Sequence, residues 1–328
     1  GPLLELAYSD VDPALFGVGL HRGVLFQALF GAVQRQGIPL ELGVACDRLA
    51  RHRDKYVILD EDGERRGAHD LIVLADGARS RLRDELGLVR RADPYPWGAL
   101  WFVAKDPEAV FAGELYQVVH GTRRMLGLLP SGLGPEEGRD DDHVPEVSLF
   151  WSLAAREVDA WRAGGFEAWK DEIRAMAPKA GFVLDGIGGP GGRLVSAYPD
   201  VGRGPGATRG IVALGDAAHA MSPQLGQGAN LALWDAMVLA DSLEAERGDV
   251  VRALDRYSRT RRDHLGYYQL VTRALTPFFQ SDHDFLGTLR DLFMPVMNRL
   301  ALFNRAMVLG MCGTADGHPW KRLPMPKD

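Results

Sequence analysis

The sequence predicts a mixed α/β (α+β) fold, on the strength of three observations. Two short apolar runs, "LIVLA" at 71–75 and "GIVAL" at 210–214, each lead into an Asp and a Gly, as buried strands of an open parallel sheet do at their carboxyl ends. Between them, Tyr95 to Leu153 is β-rich and aromatic ("WGALWFVA", "GELYQVVHG", "RRMLGLLP", "EVSLFWSL"), which suggests a separate antiparallel sheet inserted into the first region. From Asp249 onward the periodicity is helical, punctuated by Pro277 and Pro295.

The elements follow in order. "LLELAYSD" alternates like a strand, and Asp10 to Gly19 reads as a loop. "RGVLFQALFGAVQRQG" sets Leu25, Phe26, Leu29, Phe30 and Val33 on one helical face, and Gly37 and Pro39 stop it. Leu40 to Ala75 reads as short strands with a turn at Asp60 to Gly63, ending in an apolar run expected to be buried on both faces. "ARSRLRDELG" opens a short helix. Residues 159–176 read as helical, 186–210 as a Gly/Pro-rich connection, and 211–245 as strand, loop and helix.

Composition excludes several classes of function. With 328 residues, 46% hydrophobic and 25% charged, the chain can bury a sizeable ligand. A net charge of -6 with scattered arginines gives no footprint for nucleic acid. Cys46 and Cys312 have neither disulfide-framework nor zinc-ligand spacing, so buried free thiols in a reducing cytoplasm are expected. No apolar run reaches the roughly 20 residues that span a bilayer, since Asn304 and Arg305 break "LALFNRAMVLGMC". The acidic stretch "PEEGRDDDH" at 135–143 lacks calcium-loop spacing and reads as a solvated hairpin tip, so no metal is expected. The start, "GPLLELAYSD", has no signal-peptide layout and reads as processed or truncated.

Two glycine-rich stretches compete as ligand sites. "GIGGPGG" satisfies GxGxxG at Gly186, Gly188 and Gly191, but Pro190 interrupts it and a strand-like segment follows where a helix N-terminus is needed. "VALGDAAHAMSPQLGQGAN" (212–230) has the right context. Gly215 permits a tight exit from a strand, Asp216 offers a carboxylate to ribose hydroxyls, and Gly226 and Gly228 let backbone approach a flat ring at a helix N-terminus. Read from the residues alone, a capped Gly-rich turn and a nucleotide site are equally supported.

"GDAAHAMSPQLGQGAN" resembles the GD motif of the class A flavoprotein monooxygenases, the aromatic-hydroxylase family related to para-hydroxybenzoate hydroxylase. "DLIVLADGARSRLR" resembles that family's DG motif at Asp76, Gly77, Ser80 and Arg83, and "HRGVLFQAL" resembles its RxxL helix at Arg22. The resemblance spans nearly the whole chain and implies FAD as cofactor with NAD(P)H as co-substrate. It implies cofactor contacts from Arg22, Asp76, Gly77, Gly215, Asp216, Ala217, Pro223, Gly226, Gln227, Gly228, Ala229 and Asn230. Pro223 and Gly226 would form the environment of the flavin ring, with no side-chain catalyst, and His219 would be scaffold.

The implied architecture is an incomplete Rossmann-like FAD-binding domain at 20–90 and 205–248, an inserted antiparallel-sheet substrate domain at 1–19 and 91–204, and a helical region at 249–328. Family members open with a GxGxxG βαβ unit for the ADP half of FAD, which this sequence lacks, so a fragment that binds FAD weakly or not at all is expected. The family hydroxylates small aromatic or polyketide-like molecules with oxygen through a flavin C4a-hydroperoxide. Trp101, Tyr116, His120, Phe150 and Trp151 are the candidate substrate contacts, and Phe278 and Phe279 a candidate apolar lid. The apolar C-terminal helices allow peripheral membrane contact. The alternatives are a flavin oxidoreductase on the same scaffold without oxygenation, or a non-catalytic binding protein.

Overall fold

The computed structural model describes residues 3–89, 91–135, 143–189, 193–195, 199–202 and 207–324. Residues 136–142 of the acidic stretch and Pro190, Gly191 and Gly192 of the "GIGGPGG" stretch lie outside them. The chain opens with α1 (Arg22–Arg35), β1 (Cys46–His52), β2 (Lys55–Asp60), β3 (Arg65–His69), β4 (Ile72–Leu74), α2 (Arg81–Glu85) and β5 (Arg91–Pro94). Next come β6 (Trp97–Lys105), β7 (Tyr116–His120), β8 (Arg124–Gly132), β9 (Glu146–Ala154), α3 (Val158–Arg162), α4 (Phe166–Met176) and α5 (Gly181–Asp185). Then follow β10 (Arg193–Val195), β11 (Pro199–Gly202), β12 (Ala207–Thr208), β13 (Ile211–Ala213), α6 (Asp216–His219) and α7 (Gly228–Ala245). The chain closes with α8 (Val250–Phe279), α9 (Asp284–Met297), α10 (Ala301–Met311), β14 (Ala315–Asp316) and β15 (His318–Arg322).

The aromatic region forms one antiparallel sheet in the order β10-β6-β9-β8-β7, whose longest ladder runs from Trp97 opposite Ala154 to Lys105 opposite Glu146. Strand side chains alternate between faces, so one face collects Leu100, Phe102, Leu126, Leu128, Leu149 and Trp151. That face is sealed by Trp161 of α3, Trp169 and Ile173 of α4, and Val183 and Leu184 of α5. The intervening residues Trp101, Gly127 and Phe150 therefore stand on the opposite face.

The second sheet has the order β12-β13-β4, with β13 parallel to β4 in the register Ile211 to Ile72, Val212 to Val73 and Ala213 to Leu74. The meander β1-β2-β3 covers one side, where Leu49, Tyr56 and Ile58 meet Ile72, Leu74, Ile211 and Ala213. Helices α7 and α8 cover the other, where Val212 meets Trp234, Val238, Leu254 and Tyr257. At the β12–β13 turn, Gly210 has φ +88, and a Cβ there would lie 2.8 Å from the Asp70 carbonyl oxygen, so the close approach of β4 requires glycine.

Several sequence expectations are corrected. Residues 3–10 form no strand: Ala7 is extended and Tyr8–Asp10 closes a single 3₁₀ turn, because among the described residues no strand pairs with them. The run 71–75 yields only a three-residue strand, and Val73 is 42% exposed, so it is not buried on both faces. α8 continues through Pro277, which falls in its last turn, where few backbone bonds follow it. The C-terminal region is not all helix, since a hairpin of β14 and β15 turns at Gly317 with φ +77. The 186–210 connection carries three short strands, and 159–176 splits at Gly164 and Gly165 into α3 and α4. Cys46 and Cys312 are free as expected, but Cys46 is exposed. Helix α1 forms, with Phe26 and Leu29 of its apolar face exposed.

The two faces of the aromatic sheet make a measurable difference. Trp151→Ala should cost about 3–5 kcal/mol in a urea titration, as a buried large-to-small change does, and Phe150→Ala one position earlier less than half of that. Equal costs would contradict the facial assignment.

Candidate cofactor site

The parallel pairing of β4 and β13 brings two turns to the same end of one sheet. The Leu214 N–H donates to the Leu74 carbonyl at 2.9 Å, so the ladder persists until both strands leave the sheet. After β4, Ser80 caps α2 by accepting the Arg83 N–H at 3.2 Å, and its hydroxyl donates to Asp76 Oδ2 at 2.8 Å. Arg83 is buried, pairs with Asp84, and donates to the carbonyls of Ala78 at 3.0 Å and Ala217 at 3.2 Å. The last of these bonds ties the first turn to the second. Asp76 is exposed, and Gly77 beside it has φ +88.

The second turn is built on Gly215, whose φ of +56 and ψ of -139 suit only glycine. Asp216 then stands exposed at the start of α6, while Ala217 and His219 are buried. Pro223 is exposed on a single turn that ends at Gly226, φ +63, and a Cβ added at Gly226 or Gly228 would meet nothing within 4 Å. Gln227 is buried, donating to the carbonyls of Leu225 at 3.2 Å and Met311 at 2.8 Å and accepting from Asn230 Nδ2 at 3.0 Å. It gives α7 no side-chain cap, and Gly228, Ala229 and Asn230 are exposed. An uncapped, exposed helix start with open space above its glycines is a place where backbone N–H groups can face an anion or the polar edge of a flat ring.

Beneath this surface lies a network that sequence reading missed. Asp235 of α7 is fully buried and accepts from the Gly215 N–H at 2.8 Å, from His219 Nε2 at 2.6 Å and from Arg261 Nε at 2.7 Å. Arg261 also donates to the Leu231 carbonyl at 2.9 Å and to His264 Nδ1, whose Nε2–H donates to the Gly313 carbonyl at 2.9 Å. Burial alone would raise the Asp235 carboxyl, but the His219 and Arg261 contacts and the Gly215 N–H override it and hold it at about 2. Burial, with the Arg261 charge, lowers His264 to about 4. The sequence signal was a charged residue inside the apolar helix "ANLALWDAMVLADSL".

The open face of the aromatic sheet supplies a second wall. Trp101 and Phe150 stack with centroids 5.9 Å apart, and the exposed Arg22 places its guanidinium 4.9 Å from the Trp101 ring. His21 caps α1 by accepting the Gly23 N–H at 3.1 Å, and its own N–H donates to the Ser131 carbonyl at 3.0 Å, which fixes Arg22 against the sheet. Trp101 Nε1 is buried and has no hydrogen-bond partner among the described residues. Tyr116 and Trp151 point the other way, into the helix-covered core, and His120 is exposed at the end of β7.

Gln280, at the end of α8, joins the two walls. Its Oε1 accepts from Tyr95 at 2.6 Å, Gln224 at 3.0 Å and Ser222 at 3.4 Å, and its Nε2 donates to Ser152 Oγ at 3.1 Å. Phe278 and Phe279 are half-buried just before it, Phe279 under the Arg290 guanidinium at 5.2 Å.

Both perturbed groups make the fold acid-sensitive. The folded pKa values lie below the unfolded ones, so the unfolded chain takes up protons first. The His264 contribution, on the order of 3 kcal/mol, is present above pH about 6.5 and lost as pH falls toward 4, and the Asp235 contribution is lost between about 4 and 2. Urea midpoints should hold level from pH 7.5 to about 6.5 and then fall toward pH 4, and Asp235→Asn should cost about 3–5 kcal/mol at pH 7 by leaving Arg261 buried without its carboxylate.

Residues 208–271 match the family model described as FAD binding domain. A 3-amino-4-hydroxybenzoate 2-monooxygenase of Streptomyces cremeus is 28% identical over 290 residues, 79% of this chain and 63% of the relative. A 2-heptyl-3-hydroxy-4(1H)-quinolone synthase of Pseudomonas aeruginosa is 32% identical over 237 residues, 68% of this chain and 55% of the relative. The FAD-dependent monooxygenase esdpE of Penicillium shearii is 25% identical over 320 residues, 88% of this chain and 62% of the relative. The chain thus spans less than two thirds of the length of these relatives. In fold it is similar to Klebsiella pneumoniae HpxO complexed with FAD and uric acid, with a TM-score of 0.69 at 19% identity over 88% of this chain and 71% of that one. The chain is thus similar in sequence to FAD-dependent monooxygenases, and residues 208–271 match the model of an FAD binding domain.

Proposed function

We propose that this chain forms the flavin-facing and substrate-facing parts of a monooxygenase that uses FAD, NAD(P)H and oxygen to hydroxylate a small aromatic molecule. The observation that carries this reading is the exposed, uncapped start of α7 beside the Gly215–Asp216 turn, with open space over Gly226 and Gly228. In this reading 20–90 and 205–248 make the FAD-binding domain, 1–19 and 91–204 the substrate domain, and 249–328 a buttress behind both. Bound FAD would carry electrons from NAD(P)H and supply the oxygen chemistry.

The chain's own groups would bind, orient and exclude water. The exposed Asp216 carboxylate would accept hydrogen bonds from sugar-chain hydroxyls, with the backbone of Gly215 and Ala217 beside the phosphates. The N–H groups of Gly228, Ala229 and Asn230 would face the ring's polar edge, where the positive end of α7 favours negative charge. Pro223 and Gly226 would border the reacting edge, while Asp76 and Gly77 would line the approach from the neighbouring turn. Arg22 would bridge the cofactor and the Trp101–Phe150 wall, on which a planar substrate could stack. Gln280 would hold the Pro223 turn at a fixed distance from that wall. The names of the relatives, a hydroxybenzoate monooxygenase and a quinolone synthase, support an aromatic substrate.

Oxygen-dependent NAD(P)H consumption with a hydroxylated product tests the activity; flavin reduction without oxygen incorporation would reject it. Binding can be tested separately. A Cβ at Gly228 meets no atom within 4 Å, so Gly228→Ala should leave the melting temperature nearly unchanged while weakening FAD at least tenfold in a flavin-fluorescence titration. Equal affinity in the variant would place the ring elsewhere.

A further inference from the structure

The fold leaves the Ser222 hydroxyl with a proton to give. Ser222 occupies the N-cap of the single turn Pro223–Leu225, where a serine hydroxyl ordinarily accepts a backbone N–H, yet it makes no cap hydrogen bond. The hydroxyl turns instead toward Gln280 Oε1, 3.4 Å away. A carbonyl oxygen carries two lone pairs, and two closer donors already face this one, the Tyr95 hydroxyl at 2.6 Å and Gln224 Nε2 at 3.0 Å. Ser222 is therefore the third donor on an oxygen with two places. It is half-buried, and among the described residues its hydroxyl has no other partner.

The place of this surplus donor decides what it can serve. Gln280 Nε2 donates to Ser152 Oγ at 3.1 Å, and Ser152 lies two residues after Phe150 on β9, so both leave the same face of the sheet. Ser222 thus stands one amide group away from the wall of stacked Trp101 and Phe150 rings. We propose that Ser222 is a substrate-anchoring residue, selecting a flat aromatic molecule that bears a carbonyl-type oxygen. That oxygen would lie against the ring wall and accept the Ser222 proton in place of Gln280 Oε1. In the proposed monooxygenase, on which this assignment rests, the oxygen would be held next to Pro223 and so beside the reacting edge.

A carbonyl fits better than an amine or a carboxylate. An amine N–H would compete for the same filled Gln280 oxygen, and the network of Tyr95, Ser152, Ser222, Gln224 and Gln280 holds no charged side chain to balance a carboxylate. The exchange also favours the ligand. Ser222 gives up only its long contact to Gln280, which keeps both closer donors, and gains a full hydrogen bond, worth about five- to tenfold in affinity.

Ligand-observed NMR titrations of the full chain test the assignment without flavin or turnover, with circular dichroism melts to establish that each variant is folded. The probes are chromone, a flat bicycle with a ring carbonyl, and indole, one of like size with an N–H. The wild type should bind chromone more tightly than indole, and Trp101→Ala should weaken both. Ser222→Ala should leave the melting temperature unchanged, weaken chromone about five- to tenfold and leave indole as it was. Ser222→Thr, which keeps the hydroxyl, should keep the preference. A wild type that binds neither probe at millimolar concentration, binding indifferent to Trp101→Ala, or a preference that survives Ser222→Ala would overturn the proposal. So would tighter binding of 1-naphthoate that is lost on Arg22→Gln, which would move the anchor to the guanidinium over Trp101. A chain that shows the Ser222-dependent preference but consumes no NAD(P)H would reject the proposed activity and keep the anchor.

Discussion

Most of the candidate site hangs from one buried carboxylate. Asp235 holds the Gly215 N–H, the His219 ring and the Arg261 guanidinium, so a single side chain positions the strand exit, the one-turn helix after it and the long helix α8. None of its partners is dispensable to the others. The backbone at Gly215 is in a region closed to other residues, and such a conformation persists only where its surroundings over-determine it. Asp235 and the packing of α7 supply that constraint, and Arg83 adds a second tie from the neighbouring turn through the Ala217 carbonyl. The exposed groups, Asp216 and the first turn of α7, can therefore be rigid while remaining open to solvent.

The two walls of the site are joined by a different chemistry. An aromatic sheet face and a glycine-rich turn have no shape in common, and Gln280 connects them by accepting from one side and donating to the other. A neutral amide can accept and donate at once, its Oε1 serving Tyr95, Ser222 and Gln224 while its Nε2 reaches Ser152. The walls are thus held at a fixed separation without placing a charge between them.

What the sequence showed and what it hid follow from the range of each interaction. The strands at 72–74 and 211–213 were legible because unbroken apolar runs leading into turns of Asp and Gly are local patterns. The exposed residues of the GD stretch were legible for the same reason. Asp235 was hidden because its partners lie 16 to 26 residues away and belong to separate elements. Gln280 was further out of reach, with donors 56 and 185 residues distant in the chain. Aromatic residues of the antiparallel sheet were correctly placed on strands, yet which of them share a face depends on where α3, α4 and α5 dock. "LLELAYSD" has the alternation of a strand, but alternation without a partner strand, and none pairs with it among the described residues, makes no sheet.

The parity of β6 and β9 carries an evolutionary consequence. Leu100, Phe102, Leu149 and Trp151 hold the scaffold together, while Trp101 and Phe150, interleaved with them one position at a time, hold none of that core. Drift at the odd position of one strand and the even position of the other can reshape the open wall without loosening the packing behind it. A single architecture could in that way supply homologues whose names range from an aminohydroxybenzoate to an alkylquinolone, each tailored on one side of a sheet whose other side stays the same.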